Sequence, residues 1–406
     1  MKKVYGLLVC FVFVLLLTAC GTSPGTTSAT QLPIEEPSAD ATSYYVRSNG
    51  NDRNAGTSED APFRTLTRAI NVASRTSLKK ITVIGTLTEN VNTEDSAPSL
   101  IRRSNWDDPN PSEILITGKL NATENERAVL TAQRGHIFIL HVLLAVRFEH
   151  IEISRANGAS AVRVVGGDLT LAEGTKIINN NKGMGIGSGG SGGGVYLTHN
   201  GSLIMRDNAE ISNNEAGNGG GITLGDEGGS TSAILTDNAV VANNLADSGG
   251  GIAVINSTLI ITGNAKVINN TAVRHGGGIF LQNKEVTLYQ NASVENNTAQ
   301  GNPNDTNIGW GGGIFINGGK VTLRGNSSIS DNTALITGGG IAGFVDAKIF
   351  IYDTPEISRN LANIFAGGVL IFDETDGSGI FLGDNVNLRE IIKNNIANEE
   401  ADLSIN

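Results

Sequence analysis

The chain has 406 residues, a formal charge of −11, and an unusual profile of 52 Gly against 9 Pro, 12 Phe and 2 Trp, with 44 Asn nearly matching the Gly. Gly does not recur every third residue, which excludes collagen. A 39% hydrophobic content is too high for a wholly disordered chain, and an acidic balance with no basic patch excludes a nucleic-acid binder.

Taken from the start, Lys2 and Lys3 precede the apolar run Val4 to Leu17, which ends in Leu17-Thr18-Ala19-Cys20. A basic head, an apolar core and small residues before a cut describe a secretory signal peptide over residues 1–19. About 14 apolar residues fall short of the roughly 20 that span a bilayer. The four-residue ending resembles the lipobox of bacterial lipoproteins, which implies that Cys20 becomes the lipidated new N-terminus and anchors the chain to a membrane. The other cysteine, Cys10, lies inside the signal, so no disulfide is expected. Loss of Lys2 and Lys3 takes the charge to −13. Residues 20–43 then read as the lipidated cysteine and a flexible tether rich in Gly, Ser, Thr, Pro and Ala. Gly21 is not the aspartate that retains enterobacterial lipoproteins at the inner membrane. An outer-membrane, surface-exposed location is the expectation.

Residues 44–190 read as an N-terminal cap and irregular coils. Leu66, Ala69, Ile70 and Ala73 follow helical spacing behind Pro62 and predict a short capping helix between residues 64 and 78. Ile81 to Ile84, Ile114 to Ile116, Ile137 to Val146 and Phe148 to Ile153 read as strands.

Residues 191–406 are dominated by a repeat. A glycine triplet followed by Val or Ile starts at Gly192, Gly219, Gly249, Gly276, Gly311 and Gly338, with a weaker copy, Ala366-Gly367-Gly368-Val369. A second mark keeps step: Asn213-Asn214, Asn243-Asn244, Asn269-Asn270, Asn296-Asn297 and Asp331-Asn332, each followed two residues later by Ala. Between the marks lie short alternating runs such as Leu259 to Thr262 and Val286 to Tyr289. A unit of about 27 residues with three short strands cannot bury its own apolar face, so the units must stack. The expected fold is all-β: a right-handed parallel β-helix with three strands per coil and about a dozen coils, roughly 55–60 Å long at the inter-strand spacing. Asn suits corners because it tolerates left-handed backbone and hydrogen-bonds locally, and in register it can form ladders. A β-propeller needs longer units, a leucine-rich horseshoe needs regular leucines, and the calcium-binding nonapeptide repeat needs an aspartate that is missing here.

The stretch Tyr45-Val46, Asn49-Gly50-Asn51-Asp52, Gly56-Thr57, Pro62 to Leu66 and Ala69-Ile70 resembles the opening segment of many bacterial surface β-helix proteins. The Gly-Gly-Gly-Ile repeats resemble those of chlamydial polymorphic outer-membrane proteins. The resemblance covers about residues 44–397 and implies the fold and a surface location. Two departures limit it. Asn-Asn-x-Ala stands in place of the family's aromatic-and-Asn motif, and Glu399 to Asn406 carries no membrane barrel, so autotransport is not implied.

Many β-helices cleave polysaccharides, and a lyase or hydrolase would need clustered carboxylates, with calcium or a cationic base in the lyase case. Asp226 with Glu227, Asp237, Asp373 with Glu374, and Asp376 do not recur at one register. Asp52 with Asn49 and Asn51 is a weak calcium candidate that turn formation explains equally well. His136, His141, His150, His199 and His275 lack metal-ligand spacing, and Gly189 to Gly194 lacks the Lys-Ser/Thr ending of a phosphate loop. No catalytic residue, metal or cofactor is assigned from the sequence. Insertions break the period at Asn181 to Ser191, Gly225 to Ala233, Gln300 to Trp310 and Asp373 to Gly379, and in solenoids such loops often form the binding face. The candidate contact residues are therefore Trp310, Asn304 and Asp305 in one loop and Asp226 and Glu227 in another. The sequence predicts a lipid-anchored surface protein that presents loops to a host or cell-surface protein or glycan, with a polysaccharide-active enzyme or glycan binder as the alternative.

Overall fold

The computed structural model describes residues 34–89, 113–119, 127–141, 144–183, 192–225, 229–372, 377–384, 386–398 and 402–405. All strand pairings between its named strands are parallel and join one coil to the next, which makes the fold a parallel β-helix. Three sheets of 18, 11 and 6 strands run along the solenoid. The second sheet carries one strand per coil, so eleven coils are described, about 48 Å from first to last at ~4.8 Å per rung. Tyr44–Val46 adds a further rung to the first sheet ahead of Lys80–Val83, in keeping with the dozen or so coils expected.

The largest sheet is bent, and from the coil of Phe138–His141 to that of Val369–Ile371 each coil crosses it twice. In the later coils a single strand passes through the bend, as in Ile252–Ile261, Ile279–Leu288, Ile314–Leu323 and Ile341–Ile351. Alternate residues of these strands, such as Ile279, Leu281, Val286 and Leu288, point inward and are fully buried in one continuous apolar core. Among the described residues the expected capping helix is α1 (Leu66–Ala73), which spans the periodic residues Leu66 to Ala73 within the 64–78 window. Thr65 caps it by accepting from the Arg68 amide, and Leu66, Ala69, Ile70 and Ala73 bury its inner face.

Two predicted strands are broken. Phe148 to Ile153 is divided between Ala145–Glu149 in the first sheet and Ile151–Ser154 in the second, with His150 at φ 51° as the corner. The run Ile137 to Val146 contains Phe138–His141 and the start of the next strand at Ala145. An apolar run shows where the core is but does not show where a coil turns.

The two halves of the Asn mark do different work. The first residue makes the corner: Asn213, Asn243, Asn269, Asn296 and Asp331 all have φ between 55° and 57°. The second is buried in a ladder running Asn180, Asn214, Asn244, Asn270, Asn297, Asn332, Asn360 and Asn395, most of them 0–1% exposed. Each Nδ2 donates to the next Oδ1 at 2.9–3.0 Å. The same Nδ2 donates to a carbonyl of the preceding coil, as Asn270 does to Val241 at 3.0 Å. The acceptor Oδ1 also receives the backbone amide of the preceding Asn, as Asn244 N does to Asn270 at 3.0 Å. Two donors and two lone pairs are thus used at every interior rung, which removes the penalty for burying an amide. The ladder starts where the Ala156 amide donates to Asn180 and ends on the Asp402 carboxylate. Its first rung, Asn179-Asn180, and its last, Asn394-Asn395, extend the regular array beyond the marks visible in the repeat.

The glycine triplet faces this ladder. The first glycine, such as Gly276 at φ 64°, adopts the left-handed region. The third has no room for a side chain: a Cβ on Gly278 would sit 2.7 Å from the Gly313 carbonyl and 3.0 Å from Asn297 Nδ2. The two sequence marks are therefore opposite sides of one contact. Replacing Asn270 by Ala strands the Asn244 donors and the Val241 carbonyl in a dry interior, and about 3 kcal/mol or more of stability is expected to be lost. Asn269→Gly keeps a left-handed corner and is expected to change stability by no more than about 1 kcal/mol. Urea unfolding of the two variants measures the difference, and equal losses would refute the division of roles.

Candidate functional site

The 300–310 insertion is anchored between coils. The Gly301 amide donates to the Val273 carbonyl at 2.9 Å, and the Gly309 amide to the Arg274 carbonyl at 2.7 Å. Within it, Asn302 accepts from the Asn304 amide, and Asp305 accepts from the backbone and side chain of Asn307 at 3.0 and 3.2 Å. Asn304 is exposed and Asp305 half-buried. The insertion returns at Trp310, whose Nε1 donates to the Thr306 carbonyl at 2.8 Å.

Trp310 lies in a corner column with Ser248, His275, Thr337 and Phe365, which bridge from coil to coil. Beside it runs the outward column of the first sheet, Ala253, Phe280, Phe315, Ala342 and Leu370. Next, at the bend, come Gln282, Asn317 and Phe344, followed one coil on by Phe372. Rings from the three columns meet. Trp310 stacks on Phe372 at 5.2 Å and meets Phe344 edge-on at 5.9 Å. His275 stacks on Phe315 at 4.6 Å and lies 5.6 Å from Trp310, and Phe280 stacks on Phe315 at 5.7 Å. Contacts of this kind contribute about 0.5–1.5 kcal/mol each beyond area burial. Phe315 is 4% exposed while Phe344 is 40% exposed, so the cluster is seated at its base and open at its top.

His275 belongs to this surface as a neutral ring. Burial pushes its imidazole down to about 4, helped by the Arg274 charge and opposed by Asp305. Its Nδ1 has no hydrogen-bond partner among the described residues. Arg274 lies 3.8 Å from Asp247, whose carboxyl is pushed up by burial.

Of the sequence candidates, the structure places Trp310 in the cluster and Asp305 close enough to influence His275, and it gives Asn304 a turn role at the rim. Asp226, Glu227, Asp373, Glu374, Asp376 and Cys20 lie outside the described residues. Asp237 sits at a left-handed turn and accepts from the Asp207 amide at 3.1 Å. Among the described residues no group of three or more His, Cys, Asp or Glu is placed to hold a metal. Phe280, Phe315, Phe344, Phe372 and His275 were not singled out by the sequence. A signal existed: seven of the twelve Phe follow residue 279, and Phe280 and Phe315 each come directly after Gly-Gly-Gly-Ile.

Asp52 lies at the other end of the solenoid. One oxygen accepts from the Arg64 and Thr65 amides at 2.9 Å and the other from the Thr65 hydroxyl at 2.8 Å, which fixes the start of α1. Glu89 accepts from the Leu66 amide at 3.3 Å, and the two carboxylates line a cavity of about 490 Å³ with Ser48, Arg64, Leu87 and Thr88. Burial raises the Glu89 pKa, with the Asp52 charge adding to it and the Leu66 amide opposing.

The fold and site define a parallel β-helix with an aromatic cluster on the outer face of its C-terminal coils. Compared with family models, curated proteins and solved structures, the chain matches none.

Two pH dependences follow. The folded value of His275 lies below the 6.5 of a free imidazole, so the unfolded chain binds more protons and stability falls as pH drops from about 6.5 towards 4. Thermal midpoints of His275→Phe should lose the upper part of that decline, between pH 6.5 and 5, before most carboxylates titrate. The folded value of Glu89 is raised, so its contribution is unfavourable above the unfolded value of about 4.3 and vanishes below it. Glu89→Gln should therefore raise the midpoint at pH 7 and leave it unchanged at pH 3.5.

Proposed function

We propose that the chain is a lipid-anchored, surface-exposed β-helix protein that binds a partner through the Trp310 face of its C-terminal coils, an adhesive role rather than a catalytic one. The aromatic cluster carries this reading. Large rings fixed by mutual stacking, buried at the base and open at the top, form the kind of anchor that dominates binding surfaces. The resemblance of the Gly-Gly-Gly-Ile repeats to chlamydial polymorphic outer-membrane proteins supports surface display, as Leu17-Thr18-Ala19-Cys20 supports lipid anchoring and Gly21 an outer-membrane location. Against catalysis, the carboxylate pair in the described N-terminal cavity is engaged in holding the start of α1, and Asp52 is left with no need of calcium to explain its position.

Cys20→Ser should abolish acyl labelling and release the protein from the envelope fraction. The full chain should adhere to an array of extracellular-matrix proteins and glycans, and Phe344→Ala should reduce that adhesion at least fivefold without altering the thermal midpoint by more than a few degrees. Turnover of a polysaccharide by the wild-type protein would overturn the non-enzymatic reading.

A further inference from the structure

We propose that the Trp310 face binds a neutral carbohydrate chain lying along the solenoid axis; this rests on the binding role just given and names its ligand class. The rings Phe280, Phe315, Phe344 and Phe372 come from four successive coils, so the face extends about 14 Å at ~4.8 Å per rung. That length accommodates more than one sugar ring. At its open top, where Phe344 is 40% exposed, the cluster offers aromatic surface against which the C–H faces of pyranoses pack.

The surroundings of the rings select among ligands. Planar amides interrupt them: Gln282 and Asn317 occupy the same column as Phe344, and Asn302, Asn304 and Asn307 border Trp310 on its loop. Amides donate and accept at fixed angles, which suits sugar hydroxyls and gives an acyl chain nothing to pair with. Anionic groups border the face as well, with Asp305 beside His275 and Asp346 two residues from Phe344. Of the cations near the rings, Arg274 lies 3.8 Å from Asp247, Lys348 pairs with Asp346 and Lys320 lies 3.1 Å from Glu285, while Lys284 donates to the Ser230 hydroxyl. Charges beside the face are thus largely matched and leave no cationic patch for an anionic ligand, and the net charge of −11 disfavours uronates, sulfated glycans and anionic lipid headgroups.

Isothermal titration of the full chain distinguishes the outcomes. The probes are neutral hexasaccharides of glucose, mannose and N-acetylglucosamine, with hexagalacturonate as the anionic comparison. At least one neutral probe should bind, Phe344→Ala and Trp310→Ala should each weaken it tenfold or more, and hexagalacturonate should not bind. Phe344 is exposed and outside the apolar core, so its variant keeps the test valid if Trp310→Ala disturbs the loop. Equal or tighter binding of hexagalacturonate, no neutral binding, or neutral binding unchanged in Phe344→Ala would each overturn the inference. Adhesion to matrix proteins that depends on Phe344, without hexasaccharide binding, would overturn the carbohydrate assignment and leave the binding role standing. Loss of both would overturn the two together.

Discussion

A primary amide buried in a dry β-helix must find four hydrogen bonds or destabilise the coil that carries it. Much of the regular array follows from the way this is met. Each ladder Asn bonds to the next coil through its side chain and to the preceding one through a backbone carbonyl, so no rung is complete until its neighbours are in register. Slipping one coil by a single residue would break the ladder and turn the alternating side chains inside out. The third glycine of each triplet is the other half of this constraint, because a side chain there would displace the amide it faces.

A scaffold fixed so closely leaves variation to the places where the chain leaves the coil. The 300–310 insertion shows how this is tolerated: its two ends are tied to the coil before it by Gly301 and Gly309, and the period resumes at Gly311. The loop delivers a tryptophan to a corner column otherwise occupied by Ser, His, Thr and Phe. Because coils stack at a constant spacing, a single large side chain reaches rings one coil away on either side, and a surface cluster forms without altering the core.

How legible this was differs between fold and site. The inward positions were readable because alternation survives in runs such as Val286 to Tyr289, and the triplet spacing set the coil length. Corners were harder: His150 takes a left-handed conformation inside an apolar run, and nothing local marks it as the point where two sheets meet. Trp310 stood out as a rare residue in an insertion. Its partners did not, because Phe344 and Phe372 lie 34 and 62 residues beyond it with no shared local motif, and only coil stacking superimposes them. Asp52 was ambiguous for the same reason, since the amides it holds belong to residues 12 and 13 positions away.

By itself the sequence determined the architecture of this protein. Excess Gly and Asn at fixed intervals, with alternating apolar residues between them, has few physical solutions other than stacked coils, because one such unit cannot bury its own apolar face. What the tertiary structure alone decided was the division of labour within each mark. Composition makes two adjacent asparagines equivalent, but one adopts a left-handed corner in contact with solvent while the other sits in the interior with all its hydrogen bonds made to other coils. The same holds for the surface: the aromatic face exists only because parallel stacking brings side chains some thirty residues apart to within one inter-strand spacing of each other.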